Sequence, residues 1–532
     1  MDDAVRRSYG PSLVVLALLA AALWGGQYLR RGLWEPDEAR YAYVAREMRA
    51  GGHWLAPHLH GEYYPDKPPL VFWLMNASSV LTGGQINRVS ARLPSLLGAI
   101  LSLWVCARLM GRWQNDRAAW RAVVVLASSF LFWFETSWGR IDALLCGLEM
   151  GAVYCLFRWN DTRRAWRLAL GYGLAGLAAF AKGPVGLAVP LGIYAAGTWA
   201  AGDRRALRGW HWAWGPALAM CVPGAWLLGA WAGGAPPEYF AAMFTEKSFG
   251  RVVESVGHRR SILYFLWHFP LEFMPWTILL PAALRSTTNR PLRRRLLAWA
   301  GFVIGLFSLF VCKRNMYILA AYPAAAMLVA AGWEHVQSLP RRWCSSTAYA
   351  STGLLAVLGA GLLAAAAVPA VPIARWTLLP AGVCLLAGAG ALAGLFRREG
   401  LSDRWLYVFA GTLMAFQVAV GTLVLPALNP AKMPPPELRA AAELRLRPDQ
   451  PVYVYGQQLA IVPLYCHRPG RQLGSIEDLR LAVRSGIAPL VVFSQRQWED
   501  VQPQIEVPAS VHPFAMGGKR LVWVDFTPPT GP

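Results

Sequence analysis

Apolar segments of about twenty residues recur along most of the chain. A bilayer core about 30 Å thick needs roughly 20 apolar residues, since a helix rises about 1.5 Å per residue. The pattern predicts an all-α polytopic membrane domain with about thirteen transmembrane helices. The segments lie near 11–29, 89–110, 118–134, 141–157, 166–181, 184–201, 211–232, 263–284, 296–312, 315–333, 347–369, 372–396 and 403–426. We expect the first to be an uncleaved span, because no small-residue cleavage pattern closes it.

Basic residues mark every second loop between these segments. Lys and Arg in short loops stay on the cytoplasmic side of a membrane. The alternation therefore predicts a cytoplasmic N-terminus and, with an odd number of spans, a C-terminal part outside the cell membrane. It also explains most of the net charge of +21, which arises from 51 Lys and Arg against 30 Asp and Glu. Because the basic residues are dispersed among apolar segments, they argue against a nucleic-acid-binding protein.

Two regions lie outside the predicted spans. The first is the exterior loop at about 30–88, and the second is the tail from about 427, which opens with several prolines. The tail alternates helix-like segments at 437–446 and 476–483 with strand-like segments at 451–455, 490–493 and 520–525. Such alternation favours a small α/β domain of about 100 residues. We therefore predict a membrane domain at 1–426 and a C-terminal exterior domain at 427–532.

The first exterior loop carries two acids at a predicted helix start. Pro36 is followed by Asp37 and Glu38, and both proline and carboxylates favour the first turn of a helix. Apolar residues at positions 41, 44, 45 and 48 then form one helical face, which predicts a helix in the membrane interface. The stretch 68–80 has a similar character. An ordinary helix start explains these acids equally well, and Asp66-Lys67 fits an ordinary surface pair.

Further charges lie at the rims of predicted spans. Arg140 and Asp142 stand where the fourth span begins, Lys182 interrupts an apolar run, and Lys313-Arg314 separates two spans on the exterior side. A charge at membrane depth costs at least roughly 2.5–3.5 kcal/mol, so it usually pairs or serves a function. A helix-packing ion pair or snorkelling lysines would explain them structurally. All of them fall on the exterior face, where cations would hold an anionic lipid headgroup.

Several motifs between about 30 and 330 form a recognisable set. They are Trp34-Glu35-Pro36-Asp37-Glu38-Ala39-Arg40-Tyr41, Tyr64-Pro65-Asp66-Lys67-Pro68-Pro69-Leu70, Arg88-xxx-Arg92-Leu93-Pro94, Arg140-Ile141-Asp142, Ala181-Lys182-Gly183-Pro184, Pro275-Trp276 and Lys313-xxx-Tyr317. This set resembles the PMT-like (family 39) membrane glycosyltransferases of GT-C fold, most closely the bacterial aminoarabinose transferases of the ArnT type. The pairing of Asp-Glu with Asp-Lys-Pro-Pro is specific to the superfamily, and the tail is not diagnostic.

The resemblance implies an inverting transferase that uses a polyprenyl-phosphate sugar donor at the periplasmic face of the bacterial inner membrane. In ArnT-like enzymes the donor is undecaprenyl-phosphate 4-amino-4-deoxy-L-arabinose and the acceptor is a lipid A phosphate. A related enzyme acting on a protein or another glycan is an alternative within the family. A lipid or sugar transporter and a non-enzymatic sensor are alternatives of other classes. A transporter predicts paired halves with discontinuous helices, whereas the sequence has no two-fold repeat.

The resemblance also implies roles for single residues. Asp37 would be the catalytic carboxylate, which either deprotonates the acceptor or aligns it, and Asp142 would be a second acid near the reaction centre. Lys67 would neutralise the leaving donor phosphate. The other implied donor or substrate contacts are Tyr64, Lys182, Tyr317, Glu38, Arg140 and Arg251, the last being preferred over Arg259 and Arg260.

Only the resemblance implies a metal ion. In the family, the acid before the lysine can help to hold a divalent ion, and here that acid is Asp66, with Glu246 or His258 as partners. The chemistry itself requires no cofactor, because Lys67 and arginines can neutralise the leaving phosphate. The expected partners are the lipid-linked sugar donor, lipid A or another lipid or glycan acceptor, and membrane lipids, but no nucleic acid.

Overall fold

Helices dominate the computed structural model, which describes residues 11–244, 260–285, 289–368, 375–456 and 459–526. The helices of the first half are α1 (Leu13–Arg30), α2 (Asp37–Gly51), α3 (Leu70–Val80), α4 (Leu93–Trp113), α5 (Asp116–Ser128), α6 (Phe130–Thr136), α7 (Ile141–Thr162), α8 (Ala165–Lys182), α9 (Val185–Ala200), α10 (His211–Ala232) and α11 (Pro237–Ala241). Those of the second membrane half are α12 (Tyr264–Glu272), α13 (Leu280–Leu284), α14 (Arg290–Ser308), α15 (Tyr322–Gln337), α16 (Arg341–Ala367), α17 (Leu378–Glu399) and α18 (Asp403–Ala419).

Seven helices of the described residues are long and apolar enough to cross a membrane, or eight if the bent pair α5 and α6 counts as one span. The predicted multi-pass helical architecture is therefore confirmed, whereas the count of thirteen stays a prediction. Some predicted spans are interrupted. The segment 263–284 divides into α12, a 3-10 turn at Trp276–Ile278 and α13, because Pro270, Pro275 and Pro281 cannot donate backbone hydrogen bonds.

Two glycines let the helices α4 and α7 approach closely. A Cβ atom added to Gly147 would lie 2.6 Å from the Cα atom of Gly98, nearer than real side chains come. Small residues at such a crossing allow the two backbones to pack against each other. The crossing brings the N-terminal ends of both helices together, and these ends carry Arg92 and Arg140.

The two helices predicted in the first exterior loop are present as α2 and α3. Between them lies a short antiparallel pair, β1 (His58–Leu59) and β2 (Glu62–Tyr63). The predicted apolar face of α2 is buried: Val44, Ala45 and Met48 pack in one cluster with Phe72 and Met75 of α3. The loop is thus a packed unit rather than a flexible connection, and it holds the start of α2 in a fixed place.

The C-terminal residues form a five-stranded mixed sheet with strand order β4-β3-β5-β7-β6. The strands β3, β4 and β5 run parallel, and β7 pairs antiparallel with both β5 and β6. The bounds are α19 (Leu425–Ala427), α20 (Asn429–Lys432), α21 (Pro436–Arg445), β3 (Val452–Tyr455), α22 (Ile461–Tyr465), β4 (Gly470–Leu473), α23 (Ile476–Arg484), β5 (Leu490–Ser494), α24 (Gln495–Val501), β6 (Ser510–Met516) and β7 (Lys519–Asp525). The three predicted strands are present; β4 and β6 are the edge strands that the sequence did not predict.

This C-terminal part is anchored on α2 and the residues before it. The Ile461 N–H donates to Oε1 of Glu35 over 2.7 Å, and the Gly470 N–H donates to the Tyr43 hydroxyl over 2.7 Å. The Arg46 guanidinium donates to the Pro463 carbonyl over 2.9 Å. Backbone groups of the tail therefore form hydrogen bonds with side chains of the first exterior loop. The division of the chain at 426 remains a prediction.

The contact at Glu35 makes stability depend on pH. Burial raises the pKa of the Glu35 carboxyl from 4.5 to about 7, although the Ile461 N–H and Arg40 act in the opposite direction. The folded protein therefore keeps a proton that the unfolded chain releases near pH 4.5. The stability linked to this proton is fully present below that pH and is lost as pH rises towards 7.

We predict that Glu35→Gln raises the thermal midpoint by about 1–3 °C at pH 8 and has little effect at pH 5. The glutamine keeps the oxygen that accepts from Ile461 and removes the buried charge. Thermal unfolding of the purified protein in detergent at both pH values measures this. Glu437→Gln, which changes an exposed carboxylate of the tail, serves as the control. A lower midpoint for Glu35→Gln than for wild type at pH 8 would contradict the raised pKa of the Glu35 carboxyl.

Candidate active site

Three guanidinium groups surround the carboxylate of Asp37. Arg40 and Arg314 each donate to it over 3.1 Å, and Nε of Arg140 lies 3.5 Å from its Oδ2. Asp37 is itself buried, with 8% of its surface exposed. Burial opposes ionisation, but Arg140, Arg314 and Arg40 outweigh it and lower the pKa of Asp37. Cations from three separate stretches of chain therefore favour the ionised form of Asp37.

Glu38 follows Asp37 and is held by a different set of partners. Its side chain is fully buried and accepts four hydrogen bonds: from Arg31 over 3.0 Å, from Arg92 over 2.6 Å, and from the Trp34 and Gly139 backbone N–H groups. Burial opposes ionisation, yet the arginines lower the pKa of Glu38 to about 2. With its oxygens used in this way, Glu38 is suited to positioning the start of α2, and it lines neither of the two cavities described below. The substrate contact that the resemblance implies for Glu38 stays a prediction.

Asp142 opens α7 and forms an ion pair with Lys182 at the end of α8. The Lys182 ammonium lies 4.8 Å from the centre of the Tyr317 ring, a cation–π distance. Three residues predicted from separate motifs therefore meet in one place. The pair also explains how two charges are accommodated within the membrane-domain helices.

A cavity of about 380 Å³ opens beside this pair. We call it the larger cavity. Its walls are mostly apolar and come from α8, α10, α14 and the 3-10 helix Asn315–Ala321. Its polar lining comprises Asp66, Lys67, Asp142, Glu149, Lys182 and Tyr317. An apolar volume whose polar lining includes the cations Lys67 and Lys182 suits an amphiphile with an anionic headgroup.

Arg40 connects the larger cavity to Asp37. Its Nη1 atom lies 3.9 Å from Asp66 Oδ2, and its Nη2 atom donates to Asp37. Lys67 follows Asp66 and lines the cavity. Tyr64 is buried beside Phe72, with their ring centres 6.2 Å apart, and is not among the cavity-lining residues. Arg40 therefore brings the two motifs of the first exterior loop together at the lining of the cavity.

A second cavity, of about 280 Å³, adjoins the first. We call it the cation-lined cavity. Met316 lines both cavities, and two of the three arginine partners of Asp37, Arg140 and Arg314, line the second. Its lining is Phe134, Glu135, Arg140, Arg260, Tyr264, Lys313, Arg314, Asn315 and Met316. The sequence singled out Arg314 only as a rim charge, since nothing local in its motif indicates the distant partner Asp37.

Three predicted residues lie outside the described part of the chain: Arg251, Glu246 and His258. Of the predicted metal ligands, only Asp66 lies in the described part of the chain. Within the described ranges, no group of three or more His, Cys, Asp or Glu side chains is placed to hold a metal ion. Metal binding thus stays a prediction from the resemblance.

Comparison with known proteins agrees with the motifs. The family model "Dolichyl-phosphate-mannose-protein mannosyltransferase" matches residues 66–227. An undecaprenyl phosphate-alpha-4-amino-4-deoxy-L-arabinose arabinosyl transferase of Edwardsiella ictaluri is 32% identical over 319 residues, covering 56% of this chain and 55% of that protein. A protein of the same name from Pectobacterium atrosepticum is 29% identical over 455 residues, covering 80% of this chain and 78% of that protein.

Similarity also extends to a solved structure. The crystal structure of ArnT from Cupriavidus metallidurans bound to undecaprenyl phosphate superposes with a TM-score of 0.77 at 21% identity, over 98% of this chain and 99% of that one. At this identity the match concerns the fold. The matched region spans only about half the length of the first of the sequence relatives. Together these comparisons confirm the resemblance to PMT-like glycosyltransferases and to ArnT that the sequence motifs indicate.

The Glu38 cluster yields a prediction about stability. Glu38→Gln would leave Arg31 and Arg92 buried without their counter-charge, and breaking a buried pair costs about 3–5 kcal/mol. We expect a large fall in the thermal midpoint of the purified protein, measured by unfolding in detergent. Glu62→Gln, an exposed carboxylate in the same loop, should behave like wild type. Equal midpoints for the two variants would show that Glu38 is not a structural hub.

Proposed function

We propose that the chain transfers 4-amino-4-deoxy-L-arabinose from an undecaprenyl-phosphate donor to a phosphate of lipid A, at the periplasmic face of a bacterial inner membrane. The observation that carries this proposal is the position of Asp37. Its arginine partners connect it to an amphiphilic cavity through Arg40 and to a cation-lined cavity through Arg140 and Arg314. One carboxylate thus stands between a volume suited to a lipid phosphate and a volume suited to another anion. The names of the sequence relatives support the sugar and its carrier.

The donor would occupy the larger cavity. Its polyprenyl chain would contact the apolar walls, and burial of each methylene contributes about 0.8 kcal/mol. Its phosphate would lie at the polar lining near Lys67 and Tyr317, where the ammonium stabilises the charge that develops on the leaving phosphate. Lys182 is already paired with Asp142, so we assign it to orienting that acid and balancing charge at the headgroup.

The reaction conserves charge without a proton transfer. An oxygen of the acceptor phosphate dianion forms the new bond to the anomeric carbon, and the bond from that carbon to the donor phosphate breaks. The products are a glycosyl phosphodiester with one negative charge and undecaprenyl phosphate with two, as many charges as the reactants carry. Displacement from the opposite face inverts the anomeric configuration.

Asp37 has the properties of an electrostatic residue in this reaction. The lowered pKa makes its carboxylate a weak base. Of the two roles that the resemblance implies, alignment is therefore favoured over deprotonation. Asp37 would hold Arg140 and Arg314 in place for the acceptor and stabilise positive charge that develops on the sugar ring in the transition state. A hydroxyl acceptor on a protein would need a stronger base than this.

The topology we propose follows the basic loops. Thirteen spans with a cytoplasmic N-terminus would place the first exterior loop and the domain from 427 onwards in the periplasm. The hydrogen bonds from Ile461 and Gly470 to that loop support a common side for both regions, because residues in contact cannot lie on opposite faces of a membrane.

We predict that Asp37→Asn and Lys67→Ala each lower sugar transfer at least about 100-fold, because each removes a charge at the reaction centre. The assay uses purified protein with labelled undecaprenyl-phosphate aminoarabinose and lipid A, with products identified by mass spectrometry. Thermal unfolding checks that both variants remain folded.

Asp449→Asn and Lys519→Ala are the matched controls, since both change exposed residues of the tail, and both should retain wild-type transfer. Transfer above half of the wild-type rate in either Asp37→Asn or Lys67→Ala would refute the assigned roles. Absence of sugar on lipid A with the wild-type protein would refute the acceptor.

A further inference from the structure

The cation-lined cavity carries more positive charge than its described neighbours neutralise. Four of its lining residues are Arg140, Arg260, Lys313 and Arg314, and its lining contains one carboxylate, Glu135. Glu135 lies 3.6 Å from Arg140. Asp37, outside the lining, offsets part of the charge of Arg140 and Arg314. Arg260 and Lys313 have no carboxylate partner among the described residues.

Neighbouring groups hold Lys313 and Arg260 at the lining of the cation-lined cavity. Lys313 is buried, with 4% of its surface exposed, and its ammonium donates only to the backbone carbonyls of Arg260, over 3.2 Å, and Phe310 within the described chain. The Arg260 guanidinium lies 5.7 Å from the ring centre of Tyr264, which also lines the cavity. The backbone N–H of Arg260 donates to the Val311 carbonyl over 3.3 Å. The backbone therefore ties the two cations together.

One buried guanidinium donor that makes no hydrogen bond is a second indication. Nε of Arg140 is buried and makes no hydrogen bond among the described residues, although it forms an ion pair with Oδ2 of Asp37 at 3.5 Å. A buried charged group with unused donors is costly unless a ligand completes it. Guanidinium groups suit phosphate, because their planar donors match its oxygens. The cluster therefore fits an anion with several oxygens.

We propose that the cation-lined cavity binds a phosphate monoester of the acceptor, and that Arg260 and Lys313 select an acceptor carrying that group. This inference rests on the proposed function and names the recognition element for its second substrate. Arg140 and Arg314 contact both the cavity and Asp37, so a phosphate held there would lie beside the carboxylate. Arg260 and Lys313 contribute charge to the cavity without contacting Asp37 or the larger cavity, which assigns them to acceptor binding alone.

The kinetic test compares Arg260→Gln and Lys313→Gln with wild type. We expect each variant to raise the KM for lipid A about tenfold, because a hydrogen bond to a charged group is lost, while the KM for the lipid-linked donor stays unchanged. Arg260→Lys should recover part of the loss. Arg341→Gln, an exposed arginine at the start of α16, is the control. An unchanged KM for lipid A in Arg260→Gln would overturn the proposal, even if the buried Lys313 variant fails to fold.

A binding test separates this inference from the proposed function. Inorganic phosphate should raise the thermal midpoint of wild type and Arg341→Gln, and it should have a weaker effect on Arg260→Gln. In the transfer assay it should compete with lipid A and not with the donor. Lipid A without phosphates should not be a substrate, which distinguishes recognition of a headgroup phosphate from recognition of the lipid.

The outcomes are distinguishable. If the wild-type protein transfers no sugar but phosphate stabilises it through Arg260, the proposed function fails and the anion site stands. If transfer to lipid A occurs but phosphate competes with the donor, or the Arg260→Gln variant responds to phosphate as wild type does, the anion site is wrong and the function stands.

Discussion

The buried ion cluster around Glu38 is the constraint on which the site depends. One carboxylate without solvent contact accepts from Arg31, Arg92 and the Gly139 N–H. These partners come from the end of α1, the start of α4 and the turn before α7, so the cluster joins three helices to the first turn of α2. The cost of burying the charges is offset only when all partners are in place. Asp37, the neighbouring residue, is therefore held in a fixed position.

From that position Asp37 separates two different environments. On one side Arg40 reaches Asp66 at the rim of a largely apolar cavity, and on the other Arg314 belongs to a cavity rich in cations. A lipid-linked donor and an anionic acceptor have opposing requirements, since one needs apolar walls and the other needs charge. Two adjoining cavities meet both requirements. A carboxylate with a lowered pKa between them is suited to organising arginines and stabilising positive charge rather than to accepting a proton.

Much of this arrangement could be predicted from the sequence, because apolar segments of membrane length and local motifs leave clear patterns. The helix at Asp37, the opening of α7 at Arg140 and Asp142, and the three main strands of the tail were all predicted. Long-range partners could not be predicted in this way. The contact of Arg314 with Asp37 joins residues 277 positions apart, and the hydrogen bond from Arg92 to Glu38 joins residues 54 positions apart. Local spacing indicates neither contact. The edge strands β4 and β6 escaped prediction because their exposed positions lack an apolar alternation.

The most direct test of the account is the place where a lipid phosphate binds. Undecaprenyl phosphate with a photoreactive group in its first isoprene unit can be cross-linked to the purified protein and the labelled peptides mapped by mass spectrometry. We expect labels on α10 near Pro223 and Trp226 and on the segment from Phe307 to Ala320, which line the larger cavity. Labels confined to α16 and α17, which do not line it, would contradict the claim that this cavity holds the donor beside Asp37.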